Sequence, residues 1–277
     1  MNPGFLQNER RGQAGERPCP VTELFATDNG VRVVESPVRV KILSLLRDRE
    51  LSFHEIVSET GKAKSTVSAH LKFLLHEGII GEKPDLADSR RKNFYIRSRH
   101  LGDLSSGINP VNAPYDTLSL DFMKNDDPYE FYRFMLHTIR ISLISQGINI
   151  DPVLREAGFR VGNGIYDLVA DPDVTKFLGN LGNFWSKHRL GRIQVDNLSP
   201  VTISVYDCFE CGDLPITGRP ACAFDSGMLD ALFSRHFREE HMATELRCYA
   251  MGDDHCRFVI RPVNHGGAAS FANPVSG

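Results

Sequence analysis

The chain has 277 residues, 41% of them hydrophobic and 24% charged, with a formal net charge of −3. That length leaves room for two domains with ample core, and no apolar run approaches the roughly 18 residues of a membrane span. Charge is unevenly divided: residues 31–100 hold 14 Lys and Arg against 9 Asp and Glu, whereas residues 101–277 hold 15 against 22. A basic module joined to an acidic one suits a DNA reader carrying a sensor, although random surface charge also produces so modest an excess. Met1-Asn2-Pro3-Gly4 opens no signal peptide, so a soluble, cytoplasmic protein is expected.

Residues 1–19 are rich in Gly, Arg and Gln with little to bury and read as a disordered tail, in which Cys19 has no neighbouring ligand. Residues 20–35 contain Leu24, Phe25, Val31, Val33 and Val34, enough for a helix or two short turns around Asn29-Gly30. Ser36-Pro37 supplies an N-cap and an N1 proline, and Val38, Ile42, Leu45 and Leu46 follow at helical spacing. Ser52-Phe53-His54-Glu55 has the form of a capping box and opens a short helix that stops by Gly61.

A third helix follows from Lys62 to Gly78. Val67, Leu71, Leu74 and Leu75 make its apolar stripe, while Ser65, Ala69, Lys72 and His76 project from the opposite face. That outer face is small, hydroxylated and basic, as a helix entering the major groove requires. Two short helices, a tight turn and a polar-faced third helix make a helix-turn-helix. Residues 79–83 and 93–96 then predict two strands around a charged turn that carries Arg90, Arg91 and Lys92 near its tip, as a wing gripping the DNA backbone would.

Residues 36–99 resemble a winged helix of the ArsR type, through Ser65-Thr66-Val67-Ser68-Ala69-His70-Leu71 in particular. The resemblance implies that Ser65, Thr66, Ser68 and His70 face DNA, flanked by Lys62, Lys64 and Lys72, that the partner is a double-stranded operator, and that the module forms a homodimer. Residues 20–35 would then support the dimer interface or brace the core. Two departures matter. Ala69 stands where the family usually has a long polar side chain, and no cysteine lies between Ser36 and Arg99, so the family's cysteine-rich metal motif is missing.

Glycines and prolines punctuate residues 101–127, which read as a linker with one strand at 117–123. Three helical patterns follow: 128–146, a second capped by Asp151, and a third opened by Asp173 and carrying Trp185. Gly158, Gly162 and Gly164 would let another backbone approach the second. Strands are predicted at 192–195 and 201–208, a helix at 226–237, and a closing hairpin of 243–251 with 257–260. The whole reads as α+β. An N-terminal winged helix-turn-helix (20–100) and linker (101–127) precede C-terminal helices packed with an antiparallel sheet (128–264), and a flexible tail (265–277) follows.

Five of the six cysteines lie between 208 and 256, which in a cytoplasmic protein favours metal binding or redox work over a disulfide framework. Cys208 and Cys211 form a C-x-x-C pair at a strand end. Cys248 and Cys256 flank the last hairpin, and a three-residue loop with a bulge near Gly252 would make them cross-strand partners. Free cysteines are also often small buried hydrophobes.

Residues from about 128 to 262 resemble the 4-vinyl-reductase domain, a small-molecule sensing module. Asp207-Cys208-Phe209-Glu210-Cys211, Gly218-Arg219-Pro220-Ala221-Cys222, Glu245-Leu246-Arg247-Cys248 and Met251-Gly252-Asp253-Asp254-His255-Cys256 carry the match. In that family the phenol-sensing activators bind zinc through residues in the order and spacing of Cys222, Glu245, Cys248 and Cys256 here. Three thiolates and a carboxylate leave no open position, so the resemblance implies a structural zinc. The two modules together resemble the MsvR-type redox-responsive transcription regulators of methanogens, which implies thiols as signal receptor. Cys208 and Cys211 are then the natural switch pair, and oxidation of zinc thiolates is the other route. An alternative is a receptor for a small apolar ligand, with Trp185, Phe131 and Phe134 at its pocket and a purely structural zinc. A vinyl-group reductase is the third reading, but no nicotinamide or flavin fingerprint is visible, none of His137, His188, His236 and His241 shows a partnered constellation, and no enzyme activity is expected.

Overall fold

The computed structural model describes residues 21–85, 91–105 and 127–263. The expected tails, Cys19, Arg90, residues 106–126 of the linker and its strand at 117–123 lie outside them. The fold is α+β, built on two hydrophobic cores.

The chain enters through a hairpin, β1 (Val21–Thr27) and β2 (Gly30–Val34), with Thr27 opposite Gly30. This corrects the expected helix or short turns over 20–35. Phe25 and Val34 are buried while Val31 and Val33 are exposed, and Gly30 accepts the positive φ of 96° at the turn. Helix α1 (Pro37–Asp48) follows, then the short strand β3 (Leu51–Ser52) and α2 (Phe53–Thr60). The capping box forms: the Ser52 and Glu55 side chains each accept from the other's backbone N–H, and Gly61 ends the helix at φ 64°.

Helix α3 (Lys64–His76) ends in a Schellman arrangement, in which the Ile79 N–H donates to the Leu74 carbonyl and the Gly78 N–H to that of Leu75. Its Val67, Leu71 and Leu74 are buried with Ile42, Leu43, Leu51, Ile56 and Ile79. Strands β4 (Ile80–Pro84) and β5 (Lys92–Ile96) make the wing, joined by β3 in a sheet of order β3-β5-β4.

Residues 101–105 are not irregular. They belong to β6 (Arg99–Ser105), which pairs with β1 and also with β7 (Ile148–Asn149), giving a sheet of order β2-β1-β6-β7. The expected boundary near residue 100 therefore falls inside a strand whose far side touches the C-terminal half. Gly102 permits this, because a Cβ there would lie 2.2 Å from the Asn149 carbonyl oxygen.

In the C-terminal half, Asp127 caps α4 (Pro128–Ser145) and Asp173 caps α6 (Val174–Lys187). Between them, α5 (Asp151–Val169) takes Asp151 as its first residue rather than its cap. Strands β8 (Arg192–Leu198) and β9 (Val201–Tyr206) lead to α7 (Ala223–Phe237), β10 (His241–Arg247), a 3₁₀ turn (Tyr249–Met251) and β11 (Cys256–Pro262). The antiparallel sheet runs β10-β11-β9-β8. Trp185, Phe177, Leu181, Ile203, Phe233 and Phe258 are buried in its core.

Helices α5 and α7 cross at backbone contact. A Cβ on Gly158 would lie 2.0 Å from the Phe224 oxygen, one on Gly162 2.5 Å from that of Met228, and one on Gly227 1.9 Å from that of Arg155. Gly164 faces open space and takes no part in the crossing. Arg155 closes it by two hydrogen bonds to Asp230, at 2.7 and 2.8 Å.

Candidate thiol and metal centre and the exposed face of the third helix

The last helix and the last sheet bring all five described cysteines into one cluster with no solvent exposure. Cys208 and Cys211 lie on the turn after β9, closed by the Gly212 N–H donating to the Cys208 carbonyl at 2.9 Å. Cys222 precedes α7, Cys248 follows β10 and Cys256 begins β11. Cys222 is central: its Sγ lies 3.6 Å from that of Cys208, 3.6 Å from Cys256 and 3.9 Å from Cys248. Cys211 and Cys256 are 3.2 Å apart. All five are free thiols.

Two four-residue groups here could hold a metal ion. Cys208, Cys211, Cys222 and Cys256 make one; Cys222, Glu245, Cys248 and Cys256 make the other, each with donor atoms within 4.8 Å of one another. Cys222 and Cys256 belong to both, so residues that the sequence divides between a switch and a metal site form one body. Cys248 and Cys256 are not cross-strand partners: Cys256 pairs with Val205, and residues 248–255 link β10 to β11 in place of a three-residue loop.

The electrostatics are those of a dry site with more acids than it can ionise. Cys208 is held well below the usual thiol range by hydrogen bonds from Cys211, Cys222 and Cys256, and Cys248 is lowered by Cys211, Cys222 and Cys256. Burial pushes Cys222 up, and the bonds to Cys208 push up Cys211 and Cys256. Burial, then the neighbouring Cys248, pushes Glu245 up to about 9. Its Oε2 accepts from the Cys222 N–H at 3.0 Å, while its buried Oε1 has no partner.

Glu210, between the paired cysteines, has a role that its sequence context does not announce. It is 2% exposed, accepts from the Phe224 and Asp225 N–H groups at the start of α7, and pairs with Arg140 of α4 at 2.8 Å. Burial, opposed by Arg140, pushes it up to about 7. This borrowed cap explains why α7 starts at Ala223 and not near Ser226. Asp225, 3.6 Å from Cys208 Sγ, is pushed well up by burial and then by Cys208. His137, wholly buried on α4, has its Nε2 2.8 Å from the Phe209 carbonyl. Among the other histidines singled out, His188 packs against Phe184, His236 stacks on Phe177 and His241 on Phe237.

In the N-terminal half, Lys62, Lys64, Ser65 and Lys72 are exposed, as are Ala69 and His76 on the same outer face of α3. Thr66, Ser68 and His70 are half-buried. His70 accepts a hydrogen bond from Arg39 of α1 at 3.3 Å, and burial, then Arg39, lowers its pKa, so it is a neutral imidazole tied to the core. The Arg39 guanidinium also covers the Phe73 ring at 3.4 Å. Arg91 and Lys92 are exposed on the wing, with Lys92 paired to Glu82.

The residues suggested for an apolar pocket do not come together. Trp185 is 1% exposed in the core, whereas Phe131 is 45% exposed on α4. An open groove of about 640 Å³ lies instead between α6 and β8, lined by Leu178, Gly182, Ile193 and Leu198 among others.

Residues 36–81 match the arsR family of bacterial regulatory proteins, and residues 201–262 match the vinyl-4-reductase domain. Three uncharacterized proteins of Methanocaldococcus jannaschii are similar in sequence. One is 34% identical over 85 residues, 31% of this chain and 53% of its own length. Another is 22% identical over 129 residues (46% and 73%), and a third 31% identical over 88 (32% and 48%). The chain thus spans about half the length of the first and third. Among solved structures, a vinyl-4-reductase family protein from M. jannaschii aligns at a TM-score of 0.37 and 15% identity, covering 54% of this chain and 90% of its own. The phenol-responsive sensory domain of the transcription activator PoxR, with phenol, aligns at 0.35 and 14%, covering 82% and 91%.

Proposed function

We propose that this chain, an arsR-family helix-turn-helix followed by a vinyl-4-reductase domain, is a homodimeric DNA-binding transcription regulator that senses redox state through its cysteine cluster. The observation that carries the reading is the merging of all five described cysteines into one dry cluster, in which two candidate metal groups share Cys222 and Cys256.

Zinc is the metal that the donor set suits, and Cys222, Glu245, Cys248 and Cys256 are the residues that would hold it. With Zn–S bonds of about 2.3 Å, the sulfurs of a tetrahedral site stand roughly 3.8 Å apart. The Cys222–Cys256 and Cys222–Cys248 separations of 3.6 and 3.9 Å fit, and the unpartnered Glu245 Oε1 supplies a waiting fourth donor. The 3.2 Å between Cys211 and Cys256 fits the other group less well. Bound there, zinc would neutralise the thiolates and pin β10 and β11 to the start of α7.

Cys208 and Cys211 are the redox pair. A disulfide-class oxidant would take two electrons and two protons from them and leave as two thiols, while a sulfur–sulfur bond forms between the pair. That removes the sulfur contacts that Cys208 makes to Cys222 and Cys211 to Cys256, and weakens the metal's supporting shell. Glu210 lies within the same turn and caps α7, α7 crosses α5 through its glycines, and Glu156 of α5 pairs with Arg99 of β6 at 3.1 Å. This contiguous route carries the change to the helix-turn-helix.

The DNA-facing set is Lys62, Lys64, Ser65, Thr66, Ser68 and Lys72 with wing residues Arg90, Arg91 and Lys92. His70 acts by bracing α3 through Arg39. Two copies place their third helices on half-sites about one helical turn apart. The test is fluorescence anisotropy on DNA from the chain's own promoter, with reduced and with oxidised protein. A change in affinity of about tenfold or more supports the reading, and equal affinity in both states contradicts it.

The groove between α6 and β8 supports a second reading, a receptor for a small apolar molecule. Ligand-dependent operator release that survives Cys208→Ser and Cys211→Ser would favour it.

A further inference from the structure

Away from the thiols, three metal-ligating side chains converge where the two halves meet. Glu23 on β1 and His100 and Asp103 on β6 bring two carboxylate oxygens and an imidazole nitrogen within 4.8 Å of one another. Three observations set this group apart from an ordinary polar cluster.

Glu23 and Asp103 are direct cross-strand partners, an arrangement in which like charges destabilise an antiparallel pair. The strand register also slips here. Leu24 faces Gly102 while Phe25 faces His100, so Leu101 is an additional residue in β6. Regular alternation would put residues three apart on opposite faces; the bulge turns His100 onto the face of Asp103. Finally, Glu23 is only 3% exposed, and its Oε2 has no hydrogen-bond partner.

Arg47, in the last turn of α1, answers part of this charge. Its Nη2 lies 2.9 Å from Glu23 Oε1 and 3.3 Å from His100 Nε2. Yet His100 Nε2 also lies 3.0 Å from Asp103 Oδ1. As a neutral acceptor it satisfies the guanidinium and gives the carboxylate nothing; as a donor it does the reverse. One guanidinium faces two carboxylates and an imidazole that cannot serve both neighbours.

We infer that Glu23, His100 and Asp103 form a binding site for a first-row divalent transition cation, which displaces Arg47 as it binds. One imidazole and two carboxylates suit manganese, iron, cobalt, nickel or zinc as divalent ions, and differ in kind from the thiol cluster. The ligands are already oriented: Asn149 on β7 donates to Asp103 Oδ2 at 3.3 Å, and the Phe25 ring lies 5.1 Å from that of His100. Because Arg47 belongs to the DNA-reading half and Asn149 to the other, occupancy couples the two.

Manganese(II) is the probe, since carboxylate and imidazole suit it and thiolate does not. Titration of the full-length protein, followed by loss of the free-ion paramagnetic resonance signal, should give one bound ion per chain. His100→Gln and Asp103→Asn should each weaken binding by about tenfold or more. Arg47→Met, which removes the competitor, should tighten it. Failure of the wild-type protein to bind manganese at millimolar concentration would overturn the site regardless of how any variant folds. Undiminished binding by a folded His100→Gln protein would place the ion elsewhere and overturn it as well, and unchanged affinity in Arg47→Met would overturn the displacement.

Discussion

Replacing Arg140 by Met tests the link between α4, the paired cysteines and α7. Arg140 and Glu210 are 6% and 2% exposed and 2.8 Å apart, and Glu210 also accepts two backbone N–H groups of α7. Breaking a buried pair by removing one partner costs about 3–5 kcal/mol, because the other charge is left uncompensated. Glu210 can escape part of that cost by taking a proton, since its pKa already rises from 4.5 to about 7 with Arg140 in place. Without Arg140 the folded-state value climbs further above the unfolded one. The stability contributed by the neutral form is then present below the unfolded pKa and is lost as pH rises through the folded pKa. The penalty of Arg140→Met should therefore grow between pH 6 and pH 8, by up to about 1.4 kcal/mol per pH unit. Urea unfolding of reduced protein at both values measures it, and Glu210→Gln in the same background should recover at least about 1 kcal/mol at pH 8. A penalty under about 1 kcal/mol at both pH values, or strict additivity of the two substitutions, would refute the reasoning.

Three further outcomes are expected. Gly227→Ala should destabilise by roughly 3 kcal/mol or more, because its Cβ would stand 1.9 Å from the backbone oxygen of Arg155, whereas Gly164→Ala, facing open space, should stabilise by roughly 0.5–1 kcal/mol; thermal unfolding compares them. Arg90→Ala with Arg91→Ala should weaken binding to all DNA sequences alike and lower the salt-dependence slope by about 2, and an unchanged slope would remove the wing from the interface. Glu245→Gln should lower zinc affinity by at least about tenfold in a competition titration with a chromophoric chelator, and wild-type affinity would exclude the carboxylate as a ligand.

Wherever local chemistry decides structure, the sequence was a good guide. Ser52 with Glu55 gave the capping box, Gly78 the end of α3, Asp173 the start of α6, and Gly158 and Gly162 the tight helix crossing. It misled where partners are remote. Residues 21–34 are strands because β6 is there to pair with β1, and β6 exists only through that pairing. The start of α7 at Ala223 depends on a carboxylate well upstream of it, Glu210, which no local pattern marks as a cap. The cysteines could be recognised as a set, but spacing assigns them to separate groups, whereas packing gives Cys222 and Cys256 two roles at once. His70 reads as a groove-facing residue from its place in α3, and only Arg39, 31 residues away, ties it inward.

The most direct test of the central claim is to count metal and free thiols in anaerobically purified protein, before and after mild oxidation, with operator affinity measured on the same samples. Coupling through one shared cluster predicts about one zinc per chain in the reduced state, held by the Cys222 group. Loss of two thiols should then weaken zinc retention and shift operator affinity in step. Oxidation that consumes thiols or releases zinc while operator affinity stays constant would contradict it.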